Sequence, residues 1–211
     1  MLYAVEDAAI VDEVIVVNDA STDRTPRLVQ ALDNPNVRLV NLYKNRGKGG
    51  ALKEGIAAST GDVLLFLDAD LIGLQPEHIH ALLMPVLENK ADMTRGIFTN
   101  GRKTTDLSHK IAPGISGQRA VRRDVIVSIP DLHKVRFGVE VALNRHVKKN
   151  KLRLKQVEMK NITHRMKEEK FGLPKGFAMR LKMYWDILRF ISIPPREKKE
   201  KVKKKKKGVR S

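Results

Sequence analysis

Two aspartates flank a single residue in Asp68-Ala69-Asp70, directly after the apolar run Val63-Leu64-Leu65-Phe66-Leu67. Carboxylates one residue apart at a strand end can converge on one cation, and hard oxygen ligands suit Mg²⁺ or Mn²⁺. Mg²⁺ commonly takes one or two carboxylates and completes its shell with substrate phosphates, so the spacing points to diphosphate chemistry. A turn or helix-capping pair has the same composition, and the triplet alone does not separate the two. Two further polar clusters also follow apolar runs. Asn18-Asp19 follows Val14-Ile15-Val16-Val17 and precedes Ser21-Thr22-Asp23. An acid there can accept hydrogen bonds from a nucleobase or ribose, while Asn, Asp and Ser equally favour a plain turn. The third cluster, Asn45-Arg46-Gly47-Lys48-Gly49-Gly50, puts glycines and two cations at a helix start. Glycines admit close backbone approach, and cations at a helix N-terminus favour phosphate. It matches neither a P-loop nor the Gly-x-Gly-x-x-Gly pattern.

These clusters need a scaffold that gathers them. Short β-branched runs at residues 14–17, 37–42 and 63–67 predict buried strands. Helices are expected from Pro26 (capped by Thr25) to about residue 32, over 51–59, and from Pro76 onward. Fully apolar strands alternating with helices indicate a parallel sheet covered on both faces. Ligands bind beyond the carboxyl ends of such strands, and all three polar clusters fall there. Further along, residues 93–98 predict a strand, 114–124 a turn leading into a helix, and 137–147 a helix. Phe177, Leu181, Tyr184, Leu188 and Ile191 recur with the spacing of an amphipathic helix over 177–193.

The chain has 211 residues, 42% of them hydrophobic, enough for one sizeable α/β domain. It has no cysteine, which excludes disulfide and thiolate chemistry and fits a reducing compartment. Of the net charge of +17, the stretch from Arg196 to Ser211 carries +8, which leaves +9 for the remainder. That stretch follows Pro194-Pro195, has almost no apolar residue and reads as a disordered polybasic tail. A basic face calls for an anionic partner, whether phosphate, nucleic acid or anionic lipid. Glu6, Asp7, Asp12 and Glu13 near the N-terminus do not fit a signal peptide, and no run of about 18 uncharged apolar residues predicts a spanning helix.

Taken jointly, the segments 14–23, 47–52 and 62–70 resemble, in order and spacing, the family-2 glycosyltransferases of the GT-A fold. The resemblance covers roughly residues 1–165. It implies a Rossmann-like, mostly parallel sheet flanked by helices, and a metal-dependent transfer from a nucleoside-diphosphate sugar. Asp19 would contact the nucleoside and Lys48 would lie near it or the phosphates. Asp68 and Asp70 would serve ribose and the Mg²⁺- or Mn²⁺-diphosphate, with Asn18, Arg46 and Ala69 in the same donor site. The stretch Ser116-Gly117-Gln118-Arg119 would border the acceptor. His164 falls where many such enzymes place a histidine on the metal, although a lone histidine is more often structural. The family keeps an acid at a helix start on the acceptor side, so Glu140 is the candidate base, with Asp131 in reserve. An exposed first-turn acid is the plainer reading of Glu140, and a phosphate acceptor would need no base. An inverting outcome is implied by the resemblance alone. The family also begins with a strand that has no counterpart before Met1-Leu2-Tyr3-Ala4-Val5, so a shortened domain is expected.

The organisation expected is therefore a catalytic domain over 1–165, an amphipathic helical segment over 166–195 and the tail over 196–211. The helix and tail together suit an interfacial anchor on an anionic membrane, equally a helix packed on the domain beside a merely soluble tail. An anchor would favour a lipid-linked acceptor and a cytoplasmic, peripheral location. Two other functions compete. A nucleotidyltransferase would carry its glycine-basic loop after the first strand rather than the second. A non-catalytic basic protein binding nucleic acid or membrane accounts for the tail but leaves the three clusters unexplained.

Overall fold

The computed structural model describes residues 1–99, 116–132, 135 and 138–164, and at His164 the backbone only. The elements are α1 (Leu2–Glu6), β1 (Val14–Asn18), α2 (Thr25–Gln30), β2 (Val37–Asn41), α3 (Gly47–Ala58), β3 (Val63–Phe66) and β4 (Leu71–Ile72). They continue with α4 (Pro76–Leu87), β5 (Met93–Thr99), β6 (Arg119–Arg122), α5 (Arg123–Val127), α6 (Val139–Lys149), β7 (Leu154–Lys160) and β8 (Thr163–His164). The expected amphipathic helix over 177–193 and the polybasic tail lie outside the described residues.

The fold is α/β with helices on both faces of the strands, as expected. β1 and β2 pair in parallel, Val14 opposite Val37 through Asn18 opposite Asn41. A second sheet has the order β3-β6-β5-β7. In it β5 and β7 are parallel, whereas β6 runs antiparallel to both β3 and β5. One layer of core joins α1 and α4 to the sheet through Val5, Ile79, Leu82, Val86, Phe98 and Met159. The other joins α5 and α6 through Met93, Val121, Ile126, Val139 and Leu143, with Leu52 and Ile56 of α3 packed against it.

β1 and β3 do not pair with each other. A cavity of about 740 Å³ separates them, lined by Ile15, Val17, Leu65 and Leu67 from the two strand segments, by Val5 from α1 and by Met1 just before it. The described residues place no strand there. The side chains of Val14 to Val17 are consequently half-buried rather than buried, although both faces of the strand are apolar.

Two expectations are corrected. Residues 114–124 do not lead straight into a helix, because Arg119 to Arg122 form β6 before α5 begins at Arg123. Their side chains are tolerated in a sheet because Arg119 and Ala120 are buried against neighbours that satisfy them. Strand β7 was not anticipated at all. Its only fully enclosed side chains, Val157 and Met159, alternate with exposed polar residues, a two-residue period that a charged segment hides. The third helix also starts earlier than expected, at Gly47 rather than Ala51.

Candidate functional site

The carboxyl ends of β1, β2 and β3 and the N-terminus of α3 meet at one place. Asp19, just past β1, accepts the backbone N–H of Arg46 on Oδ1 at 2.7 Å and of Gly47 on Oδ2 at 2.9 Å. Its carboxylate thus occupies the start of α3, where unpaired amides and the helix dipole favour negative charge. Gly47 adopts φ +73°, a conformation that suits glycine at this entry. Asn18 is buried and spans the strand ends, donating Nδ2 to Asn41 Oδ1 at 3.0 Å and accepting the Ser21 N–H at 3.0 Å. The Arg46 guanidinium turns along α3 to Glu54 at 2.6 Å, away from the aspartates.

Lys48 lies at the centre. Its ammonium donates to Asp68 Oδ1 at 2.7 Å and to Glu140 Oε1 at 2.6 Å. These two acids are 72 residues apart in sequence, and the fold brings them to one nitrogen. The contact depends on Gly49, whose N–H donates to the Val135 carbonyl at 3.1 Å. A Cβ at Gly49 would strike the Val135 and Leu132 carbonyls, so only glycine lets the segment before α6 come this close to α3. Gly138, at φ +87°, then opens α6, and Glu140 sits in its first turn with its side chain 12% exposed. Burial of the ammonium would lower the Lys48 pKa, but Asp68 and Glu140 outweigh it and hold Lys48 above the ordinary lysine value. Lys48 therefore stays a cation while partly desolvated.

The other Asp68 oxygen, Oδ2, accepts Gln118 Nε2 at 2.9 Å. Gln118 is itself fixed by Ser116 Oγ, which donates to its Oε1 at 3.0 Å, and both are buried. A Cβ on Gly117 would run into the Asp68 carboxylate. The stretch Ser116-Gly117-Gln118-Arg119 is thereby part of the acidic cluster, directly under Asp68. Arg119 is 1% exposed and donates Nε to the Ser116 carbonyl at 2.7 Å and Nη1 to Asn144 Oδ1 at 2.8 Å. Burial, with a further contribution from Arg95, pushes its pKa down to about 10 against the opposing pull of Glu140 and Asp68.

Ala69 and Asp70 are exposed on the turn after β3. The next residue, Leu71, pairs with His164 across the β4–β8 ladder, so the fold carries the His164 backbone to the neighbourhood of Asp70. Asp131 is exposed at φ +57° in the turn before α6 and is not among the groups that meet Lys48. No group of three or more His, Asp or Glu side chains gathers among the described residues. The two carboxylates after β3, Asp68 and Asp70, are a donor set that fits a Mg²⁺ or Mn²⁺ ion sharing its shell with the oxygens of a bound diphosphate. The structure thus assembles Asp19, Lys48, Asp68, Glu140 and the 116–119 stretch. Sequence reasoning missed Gly49 as the close-approach residue and Asn144 as the partner of Arg119.

Known proteins share the fold and part of the sequence. The profile described as Glycosyl transferase family 2 matches residues 4–188. The chain is 46% identical over 68 residues to a human dolichyl-phosphate beta-glucosyltransferase, a stretch covering 30% of this chain and 21% of that one. It is 30% identical over 173 residues to glucosyl-3-phosphoglycerate synthase of Mycobacterium tuberculosis, covering 64% of this chain and 51% of that one. A crystal structure of the latter enzyme with Mn²⁺, uridine-diphosphate-glucose and phosphoglyceric acid superimposes with a TM-score of 0.62 at 26% identity, over 88% of this chain and 70% of that one. The same enzyme with Mg²⁺ and uridine-diphosphate superimposes with a TM-score of 0.63. The chain spans between about a fifth and a half of the length of these curated relatives.

Proposed function

The chain belongs to glycosyl transferase family 2, and we propose that it transfers a sugar from a nucleoside-diphosphate donor to an acceptor with the help of a divalent cation. The observation that carries this reading is the Lys48 ammonium held between Asp68 and Glu140 at the strand ends. It sets a fixed cation beside the acid that follows β3, at the α3 entry that Asp19 caps. Among relatives, one structure contains Mn²⁺ with uridine-diphosphate-glucose, which supports a nucleoside-diphosphate sugar as donor. Asp70 and Asp68 would hold Mg²⁺ or Mn²⁺ against the diphosphate, with His164, whose backbone pairs with Leu71, as a further candidate ligand. The cation would offset charge on the departing diphosphate.

In this reading Asp68 orients the donor, kept in position by Lys48 and Gln118. Asn18 and Asp19 shape the nucleoside end, Asp19 indirectly, because both its oxygens already hold the α3 entry. Glu140 faces the donor from the acceptor side and is the group placed to take a hydroxyl proton. With a phosphate as acceptor it would position the substrate only. The relatives include enzymes named for a dolichyl-phosphate and for a phosphoglycerate acceptor, and both acceptors carry phosphate. Among the described residues no helix is long and apolar enough to cross a membrane. A peripheral location on an anionic, cytoplasm-facing membrane is proposed from the lysine-rich 196–211 stretch alone.

The test is calorimetric binding of uridine-diphosphate-glucose with Mn²⁺, followed by donor hydrolysis. Wild type should bind and turn over donor. Asp70→Ala should lose metal-dependent binding by about tenfold or more with little change in Tm, because Asp70 is exposed. Wild type that binds no nucleotide sugar but binds RNA in a salt-sensitive way would replace this reading with the nucleic-acid one.

A further inference from the structure

The cavity of about 740 Å³ between β1 and β3 is walled on two sides by strand edges and on two sides by helices. Successive residues of both segments line it, Val14 to Val17 and Val63 to Leu67. Side chains alternate between the faces of a strand, so an unbroken run of lining residues means that the cavity meets the backbone edge. α3 covers one side through Leu52 and Ile56, and α1 with α4 covers the other through Val5 and Leu83.

The hydrogen-bond alternation identifies the groups on these edges. The Val14 N–H donates to the Asn36 carbonyl at 2.8 Å, and the Asn18 carbonyl accepts the Leu42 N–H at 2.9 Å. Val14, Val16 and Asn18 therefore turn their backbone groups to β2, and Ile15 and Val17 turn theirs to the cavity. On the other wall the Arg123 N–H donates to the Asp62 carbonyl at 2.8 Å. That directs Asp62, Leu64 and Phe66 to β6 and leaves Val63, Leu65 and Leu67 facing the cavity. None of these five residues has a backbone hydrogen bond across the cavity among the described residues. A side chain spans the gap instead. Glu13, just before β1, accepts Thr60 Oγ1 and the Gly61 N–H, both at 3.0 Å, at the foot of β3.

These edges decide what the cavity can take. A lipid chain or small apolar ligand would fill the volume but enclose two rows of N–H and C=O groups without partners, which is costly. A peptide strand fills the volume and pairs with both edges. Its two faces would both meet apolar side chains, as in a strand inside a covered sheet. We propose that the cavity is the docking slot for an extended apolar peptide strand of about five residues, the length of β1, which joins the β1-β2 pair to the β3-β6-β5-β7 sheet. The apolar runs at 14–17, 37–42 and 63–67 already form strands of the fold, so the occupant is a polypeptide segment from outside the 211 residues. Lys48, Asp68 and Gly117 also line the cavity, so the seated strand borders the acidic cluster. Strand docking follows from the two edges and does not depend on glycosyl transfer.

The experiment uses the full chain and a capped peptide of about six alternating valine and isoleucine residues with a lysine at each end. A second peptide has the same side chains and methylated backbone nitrogens, which keeps the apolar surface and removes the donors. Farnesol is the lipid-chain probe. Binding is followed by calorimetry and Tm, and amide hydrogen exchange by NMR. The unmodified peptide should bind and raise Tm. It should slow exchange at Ile15, Val17, Val63, Leu65 and Leu67 by about tenfold or more, while Val16, Leu64 and Phe66, already paired with neighbouring strands, change little. The methylated peptide should bind at least about tenfold more weakly. Equal binding of the two peptides, or slowed exchange without this alternation, would overturn the pairing. Binding of farnesol without binding of the unmodified peptide would assign the cavity to a lipid chain instead, and absence of all binding would overturn the docking slot outright.

Discussion

Gly117→Ala places one methyl group where the structure has no room for it. Gly117 has an ordinary backbone conformation, so alanine strains nothing in the chain itself, and the whole effect comes from the collision of its Cβ with the Asp68 carboxylate. To make room, Asp68 must swing away from Gln118 Nε2 at 2.9 Å, from Lys48 Nζ at 2.7 Å, or from both. Hydrogen bonds to charged groups contribute about 1.5–3 kcal/mol when buried. Asp68 is 27% and Lys48 37% exposed, so solvent screening reduces this to about 1–2 kcal/mol in all. For a domain of this size that lowers Tm by roughly 2–8 °C. The functional effect is larger, because a catalytic group displaced by about 1 Å can cost on the order of 100-fold. Thermal melts and kcat/KM for nucleotide-sugar hydrolysis measure both quantities on the same protein. Full turnover with an unchanged Tm would refute the claim that Gly117 shapes the acidic cluster. A large fall in Tm with unchanged kcat/KM would show that Asp68 matters for the fold and not for the donor.

Asp92 ties the start of β5 to β7: it accepts the Arg153 N–H at 2.8 Å and its guanidinium at 2.9 and 3.1 Å, and it is 8% exposed. Hydrogen bonds from Arg153 hold the Asp92 carboxyl below its ordinary value. Its contribution is therefore present above the unfolded pKa of about 3.9 and lost as pH falls through the folded one. Asp92→Asn should cost about 2 kcal/mol at pH 7 by urea denaturation, and the gap to wild type should close at low pH. Lys48 has the opposite sign. Its raised pKa means that its contribution is complete below about 10.4 and is lost only as pH climbs through the folded value. Lys48→Met should thus show a stability difference from wild type that is flat from pH 7 to 9, and a difference that fades within that range would contradict the two-carboxylate contact. Deletion of residues 196–211 should abolish co-sedimentation with phosphatidylserine vesicles at low salt, and retained binding would rule out the tail as the anchor.

The first half of the chain declares its fold locally. The runs at 14–17, 37–42 and 63–67 are apolar on both faces, and short polar clusters punctuate them, so strand, turn and helix follow from neighbouring residues. β1, β2 and β3 appear where that pattern puts them, while α3 begins four residues early, at Gly47. β6 and β7 were not legible, because their identity depends on partners far along the chain. Arg119 reads as a surface residue until Asn144 and Ser116 are found around it, and Glu158 and Lys160 mask the inward Val157 and Met159.

The same division holds for the site. Sequence alone determines that carboxylates and cations stand at the ends of three successive strands, because residue type and order are all that this requires. Which of them touch is a matter of tertiary structure. The sequence offers Asp19 and Asp68 as equals, yet the fold commits Asp19 to the α3 entry and Asp68 to Lys48 and Gln118. It also delivers Glu140 to Lys48 across 92 positions, through a close approach that only Gly49 permits. The reason is physical: spacing in sequence sets the reach of a few residues, whereas a charge shared between α3, the end of β3 and α6 is settled by how those elements pack.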